Sequence, residues 1–335
     1  MLEIKYLRRG PTVDNHLSFA MSRSRVYTHA SYNEVLASGQ FSTEENCCQY
    51  LIDMKILPTK RRCPTCENRM ELIPCSTTKY REGSCWKCPC GVTTSVRTDS
   101  VLQNSNLSYR NFILILSCFA ENLPASRTAE SIGVAETTVR RFYSIIREQI
   151  AADVQTSSKI GGPGTVVEVD EAKFGKRKYN RGRMVRGSWV IGGIQRGTDS
   201  CFMEICPGNV RDEPTLTTII QEWVHPGTTV ITDGWKGYWN LNNYGFVHLD
   251  VKHCRNFVDP VTGAHTNCIE GTWTHAKNAA RLNRGGRRTT DSLQMDLSLY
   301  MWMRQHGLTR IRDSSRALFS RHLPHLLNYR RFYDV

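Results

Sequence analysis

The chain lacks a long hydrophobic run. No stretch reaches the roughly 18 uninterrupted apolar residues that a membrane-spanning helix needs. The apolar segment from Phe112 to Cys118 is far too short, so no membrane partner is expected. A secretory signal is missing from the reading too, because Glu3, Lys5, Arg8 and Arg9 have no apolar core behind them. An intracellular protein is the expectation. Internal repeats and low-complexity tracts are absent, so neither a repeat array nor a disordered composition describes the chain. Acidic residues are also in short supply. There are 31 Asp and Glu against 44 Lys and Arg, a net charge of +13. That excess favours a polyanionic partner, and nucleic acid is the commonest one. A soluble basic protein with no such partner is the simpler alternative.

What is present is a 335-residue chain with 40% hydrophobic residues, enough for two or three domains with ordinary cores. It also holds 13 cysteines. In a reducing compartment most should be thiols, and a tight cluster suggests metal rather than disulfides. Six of them fall between Cys63 and Cys90. Cys63-Pro64-Thr65-Cys66 is a knuckle with metal-ligand spacing. Cys85, Cys88 and Cys90 must supply the second pair. Four thiolates around tetrahedral zinc would make a closed structural site and supply folding energy to a small ribbon. Cys75, Cys118, Cys201, Cys206, Cys254 and Cys268 read as small buried hydrophobes.

Residues 1–40 are polar and without periodicity, which predicts a flexible segment. A short helix is predicted over 43–56, capped by Ser42 or Thr43, with Cys47, Tyr50, Leu51 and Met54 on one face. An apolar helix carries Phe112, Ile113, Ile115, Leu116 and Phe119 up to the break at Pro124. Arg127 to Ile132 and Glu136 to Ile150 form two helices around Gly133, a pattern resembling a helix-turn-helix. Gly161-Gly162-Pro163-Gly164 reads as a linker. Strands follow: Val166 to Asp170, then a hairpin of Ser188 to Gln195 and Cys201 to Cys206 around Gly197. Pro214 to Trp223 is a helix, Thr229 to Thr232 and Phe246 to Val251 are strands, and 266–280 and 291–305 are helices. This order implies an α/β domain, a mixed sheet covered by helices.

Asp170 and Asp233 each close an apolar strand, and carboxylates at strand ends sit where open sheets place ligands. A helix across the same edge could add Glu270. Three converging acids would repel one another unless a cation neutralised them. Magnesium suits such a set, and two ions about 4 Å apart can activate an attacking oxygen and stabilise a leaving one. For any one of these acids, a turn residue or helix cap is the simpler explanation.

Four segments together resemble the Merlin superfamily of eukaryotic transposases. They are Val169-Asp170-Glu171-Ala172-Lys173-Phe174-Gly175-Lys176-Arg177-Lys178-Tyr179, Thr232 to Tyr238, His253 to Pro260, and Gly263 to Trp273. Merlin elements are related to bacterial insertion sequences carrying the ISXO2-like transposase domain. The resemblance covers roughly residues 43–310. It implies an RNase H-like catalytic domain whose DDE triad is Asp170, Asp233 and Glu270, holding two Mg2+ or Mn2+ ions. Glu171 rivals Asp170 but should face the other side of the strand. It also favours Cys63, Cys66, Cys88 and Cys90 as ligands of one structural zinc, with Cys85 as substitute, because the related transposases place their second pair after Trp-basic-Cys.

The implied activity is cut-and-paste transposition: metal-dependent cleavage at element ends, then attack of the freed 3′ hydroxyl on target DNA. The implied partners are terminal inverted repeats, target DNA and further copies of the chain in a dimer or larger assembly; the implied location is the nucleus. Two rivals are a domesticated DNA-binding protein and an RNase H-like nuclease without strand transfer. DNA-contacting candidates are Thr138, Arg140 and Arg141 at the start of a recognition helix. Lys173, Lys176, Arg177, Lys178, Arg181 and Arg183 form a basic cluster beside the first strand, and Arg281, Arg284, Arg287 and Arg288 a second. Asn267 and Lys277 flank Glu270 at helical spacing and could face DNA, while His265 and His253, inside the matching motifs, could contact phosphate or act near the metals. A structural histidine is an equal alternative for His265 and for His253. The expected organisation is an N-terminal segment 1–56, a zinc ribbon 57–106, a helical DNA-binding domain 107–160 resembling a helix-turn-helix, the catalytic domain 161–310, and a tail 311–335.

Overall fold

The computed structural model describes residues 37, 39–75, 80, 83–175, 187–251, 265–282, 289–307 and 326–327. Outside these fall most of the expected flexible segment and of the tail. His253, Cys254, Lys176, Arg177, Lys178, Arg181, Arg183, Arg186, Arg284, Arg287 and Arg288 also lie outside them.

Helix α1 (Glu44–Asp53) starts where Thr43 accepts a hydrogen bond from the Asn46 amide. Its residues Cys47, Tyr50 and Leu51, with Met54 just beyond, are buried, as helical spacing predicts. Three short antiparallel strands follow, β1 (Glu71–Pro74), β2 (Ser84–Lys87) and β3 (Thr93–Ser95). Helix α2 (Tyr109–Ala120) is capped by Ser108, and the Glu44 carboxylate accepts from the Tyr109 and Arg110 amides at 2.8 and 3.3 Å. One acidic side chain thereby ties the two helices together. Helices α3 (Ala125–Ile132) and α4 (Glu136–Gln155) are joined through Gly133, whose φ of 69° suits a residue without Cβ.

The expected linker is a pinned turn. Gly161 belongs to a short strand, β4 (Ile160–Gly161), and its amide donates to Gln195 Oε1 at 2.9 Å. The Gly162 amide donates to Thr228 Oγ1 at 2.8 Å. The partner of β4 is β8 (Val224–His225), in parallel.

The larger sheet has five strands in the order β10-β9-β5-β6-β7. These are β5 (Val166–Phe174), β6 (Ser188–Gln195), β7 (Cys201–Ile205), β9 (Thr229–Asp233) and β10 (Val247–Val251). The first three pair antiparallel; β5, β9 and β10 are parallel. The sheet is therefore mixed, and the molecule is α/β. Strand β5 runs past Asp170, because its ladder with β6 continues to Phe174 opposite Ser188. Helix α5 (Glu213–Trp223) leads into β8. Helix α6 (Asn267–Leu282) packs on β5 and β6, and α7 (Thr290–Gln305) on β7 and on α4. Trp302 Nε1 on α7 donates to Asp153 on α4 at 3.2 Å. One buried apolar cluster runs from Phe41 through the helices and the five-stranded sheet to Leu327.

Candidate functional site

Strands β5 and β9 set two acids side by side. Val166 lies opposite Thr229 and Glu168 opposite Ile231, so the same offset brings Asp170 level with Asp233. There β9 ends, and among the described residues β5 continues without a neighbour on that side. Asp170, Glu171 and Asp233 each place a carboxylate oxygen within 4.8 Å of the other two. Strand alternation assigns Glu171 to the face opposite Asp170. The Glu171 carboxylate nevertheless reaches the group.

Each acid is held differently. Asp170 Oδ2 accepts from Trp273 Nε1 at 3.1 Å. Burial holds the Asp170 carboxyl above the usual carboxylate range against the Glu171 amide and the Trp273 indole, and the charges of Asp233 and Glu270 add to the rise. Glu171 is pushed up to about 7 by burial and by Asp233 and Asp170, despite Arg211 and Tyr238. Asp233 Oδ1 accepts from the Trp235 amide at 3.1 Å, which closes the turn after β9. Glu270 sits exposed in the first turn of α6, with Thr266 Oγ1 donating to it at 3.3 Å. It acts on Asp170 electrostatically but stands outside the 4.8 Å group.

The link between strand and helix is Glu168, a fully buried residue that the sequence reading passed over. Its Oε1 accepts from Arg196 Nε at 2.7 Å, and its Oε2 from the Cys268 and Ile269 amides at 2.9 and 3.2 Å. A carboxylate at a helix N-terminus meets the orphan amides and the positive end of the helix dipole. Glu168 is two residues before Asp170, and its helix partners immediately precede Glu270. The clamp therefore fixes the two acids relative to each other. His265 Nδ1 lies 3.3 Å from Glu168 Oε1, and the His265 carbonyl accepts from Arg196. Glu168, His265 and Cys268 also form a compact group, but the Glu168 oxygens already have their donors.

Trp273 is the second residue the sequence reading missed. Its signal was its place three residues after Glu270, one helical turn on. Gly192, opposite Asp170 on β6, seats it: a Cβ there would lie 2.6 Å from Trp273 Cη2. Two glycines inside an apolar strand are the mark of such a close approach.

The remaining candidates are spread out. Lys173 is exposed on β5 with its ammonium 5.4 Å from the Trp189 ring, and Lys277 stands 5.6 Å over Phe174. Arg211 stacks on Trp189 at 3.7 Å and faces Trp235 at 5.1 Å. At the start of α4, Arg140 pairs with Glu136, Arg141 is exposed and Thr138 is half-buried.

A second cluster lies in the small sheet. Cys63, Cys66, Cys88 and Cys90 place their sulfurs within 4.8 Å of one another. Cys63 and Cys90 are 3.6 Å apart, Cys66 and Cys88 3.4 Å. A zinc tetrahedron with bonds of about 2.3 Å has edges of about 3.8 Å, so the four fit that ion. Burial raises Cys63, but the Thr65 and Cys66 amides and neighbouring thiols outweigh it and bring the group down to about 6. At Cys88 the Cys90 amide is outweighed by burial and three nearby sulfurs, which push it up to about 12. Thiols this crowded resist ionising together until a cation joins them. Cys85 is not the substitute ligand: it is bonded to Cys75, with Cα atoms 5.8 Å apart. Cys75 is thus no buried hydrophobe. The antiparallel β1–β2 pair draws the two together, Ile73 lying opposite Cys85.

No curated protein compared with the chain matches it. Residues 160–284 match the ISXO2-like transposase domain family, a span that contains Asp170, Asp233, Glu270 and the Glu168 clamp. Over these residues the chain carries a domain of the DDE transposase family.

Proposed function

We propose that the protein is a cut-and-paste DNA transposase that cleaves at the ends of its element and joins the 3′ hydroxyl to target DNA. The observation that carries this reading is the placing of Asp170 and Asp233 side by side within the transposase domain, with Glu270 on the helix beside them. Strand order, with three antiparallel strands and two parallel ones added at the β5 edge, supports an RNase H-like domain. Hard carboxylate oxygens suit Mg2+ or Mn2+. Two such ions would activate the attacking oxygen and stabilise the leaving one. The chain's own residues orient that centre: Trp273 holds Asp170, the Trp235 amide holds Asp233, and the Glu168–Arg196 clamp holds the helix of Glu270.

The four cysteines would hold one structural zinc and, with it, the ribbon. The helices around Gly133 would act as a helix-turn-helix, offering Thr138, Arg140 and Arg141 to DNA. Lys173, His265, Lys277 and the basic residues after β5 would lie along the same path. Two element ends must be paired, so a dimer or larger assembly in the nucleus completes the reading.

The test uses purified full-length chain, a duplex bearing an element end, and a target plasmid. Binding should need no magnesium and should weaken steeply with salt, because Lys and Arg displace counterions. Cleavage and joining should require magnesium or manganese and vanish in Asp170→Asn and Asp233→Asn, with binding kept. Full-rate cutting in excess chelator would overturn the mechanism. Cleavage without joining would make the chain a nuclease, and binding without cleavage a domesticated DNA-binding protein.

A further inference from the structure

Glu171 has no part in the triad reading, yet it is the third carboxylate of the most compact acidic group among the described residues. Its neighbours and those of Glu168, three residues earlier on the same strand, could hardly differ more. Glu168 has a donor on each oxygen. Glu171 Oε1 is buried with no hydrogen-bond partner. A second buried group shares that state. Tyr238 is fully buried beside Glu171, and its hydroxyl closes no hydrogen bond of proper geometry. The cation nearest in charge, Arg211, is stacked on Trp189 and makes no ion pair with Glu171 within 4.0 Å among the described residues. A buried carboxylate oxygen that closes no hydrogen bond, set among two further acids, is an acceptor that a cation would satisfy.

Resting on the reading of the site as a metal centre, we propose that Glu171 is a further metal ligand, joining Asp170 and Asp233, with Tyr238 as the residue that positions it. Each of the three offers an oxygen within 4.8 Å of the others, a set that Glu270 does not enter. Divalent-ion affinity is then set chiefly on the strand edge. Glu270, on the helix, matters more for the reaction than for holding the ion.

The experiment titrates Mn2+ into zinc-loaded full-length protein and follows free Mn2+ by electron paramagnetic resonance, with folding checked by circular dichroism. Mn2+ prefers oxygen ligands and reports on the carboxylates rather than the thiols. Asp170→Asn should abolish binding. Glu171→Gln should weaken it at least tenfold, Glu171→Asp should weaken it by withdrawing the oxygen one methylene, and Glu270→Gln should weaken it less than Glu171→Gln. Tyr238→Phe should weaken it about two- to fivefold. If Glu171→Gln and Glu171→Asp both bind Mn2+ as the wild type does while Asp170→Asn does not, the proposal falls and the metal-centre reading stands. If the wild type binds no Mn2+, or Asp170→Asn binds it unchanged, that reading falls and takes the proposal with it.

Discussion

The cysteine cluster and the carboxylate cluster both crowd like groups around one point, but the chain builds them in opposite ways. The four sulfurs come from two tight turns, Cys63 to Cys66 and Cys88 to Cys90, flanking one hairpin. Their geometry is local. The acids come from β5, the end of β9 and the start of α6, and they meet only if a parallel register, a buried clamp and a seated tryptophan all form. A soft, closed site can be specified by spacing. A hard, open one has to be specified by the fold around it.

The strongest break in this comparison is to remove the zinc proposed for the four cysteines. Apparent binding energies of structural zinc sites are on the order of 10–16 kcal/mol, so Cys66→Ser should cost the ribbon its fold. Metal analysis should fall from about one zinc per chain to near none, and hydrogen exchange should rise over residues 57–106. If the two clusters are independent, Mn2+ binding at the acids should persist. Loss of both would show that the shared core couples them.

The next largest effect tests the long-range assembly. Glu168→Ala leaves Arg196 without its buried partner and the first amides of α6 without an acceptor. A loss of about 3–5 kcal/mol is expected in urea unfolding. Asp170→Asn, by contrast, should stabilise the metal-free protein, since it removes a buried charge from among like charges. Two carboxylates two residues apart on one strand should thus move stability in opposite directions.

A smaller perturbation is Gly192→Ala. Its Cβ would crowd Trp273 and lie 3.1 Å from the Phe202 carbonyl. Overpacking of this kind costs about 1–3 kcal/mol. Because the indole that must move also holds Asp170, Trp273 fluorescence and Mn2+ affinity should change together. Unchanged Mn2+ affinity would separate the tryptophan from the metal centre.

The smallest effect asks whether burial alone accounts for raised carboxyl groups. Glu204 on β7 is pushed to about 7 by burial and by Glu222, against the Trp223 indole, with Gln294 also nearby. Its folded-state pKa lies above the ordinary 4.5. Its contribution is therefore fully present below about pH 4.5 and lost as pH rises through about 7. Glu204→Gln should leave stability at pH 4 unchanged and raise it at pH 8. The gain should be about 1–2 kcal/mol once solvent screening of this partly exposed group is allowed for.

Features that depend on neighbours in sequence were legible in it. The faces of α1 and α2 follow from apolar spacing, the β6–β7 hairpin from Gly197, and the Cys63–Cys66 knuckle from its own spacing, while the choice of Cys88 and Cys90 came from the family resemblance. Asp170 and Asp233 were legible as acids closing apolar runs, though β5 continues beyond its acid because a strand stops where its ladder stops. What escaped was set by contacts about a hundred residues apart: Glu168 with Cys268, Trp273 with Asp170. Glu171 escaped for a related reason. Alternation along a strand separates it from Asp170, and their proximity shows only in the folded chain. The Cys75–Cys85 bond was hidden by the same reasoning that reads thiols from a reducing compartment.

On the proposed reading, the packing of α4 against α7 would make the helix a spacer between the DNA it grips and the acids. Helix α4 has 20 residues and spans about 30 Å. Its far end is anchored through Asp153 to Trp302, within the core that also carries the acids. Its N-terminal half exposes Thr137 and Arg141. Thirty ångströms is the rise of about nine base pairs along a duplex. A protein that grips DNA at that half and cuts it at the acids would carry the spacing between recognition sequence and cut as a fixed length. Cleavage should then shift by whole bases when base pairs are inserted between the two, instead of following the sequence at the cut itself.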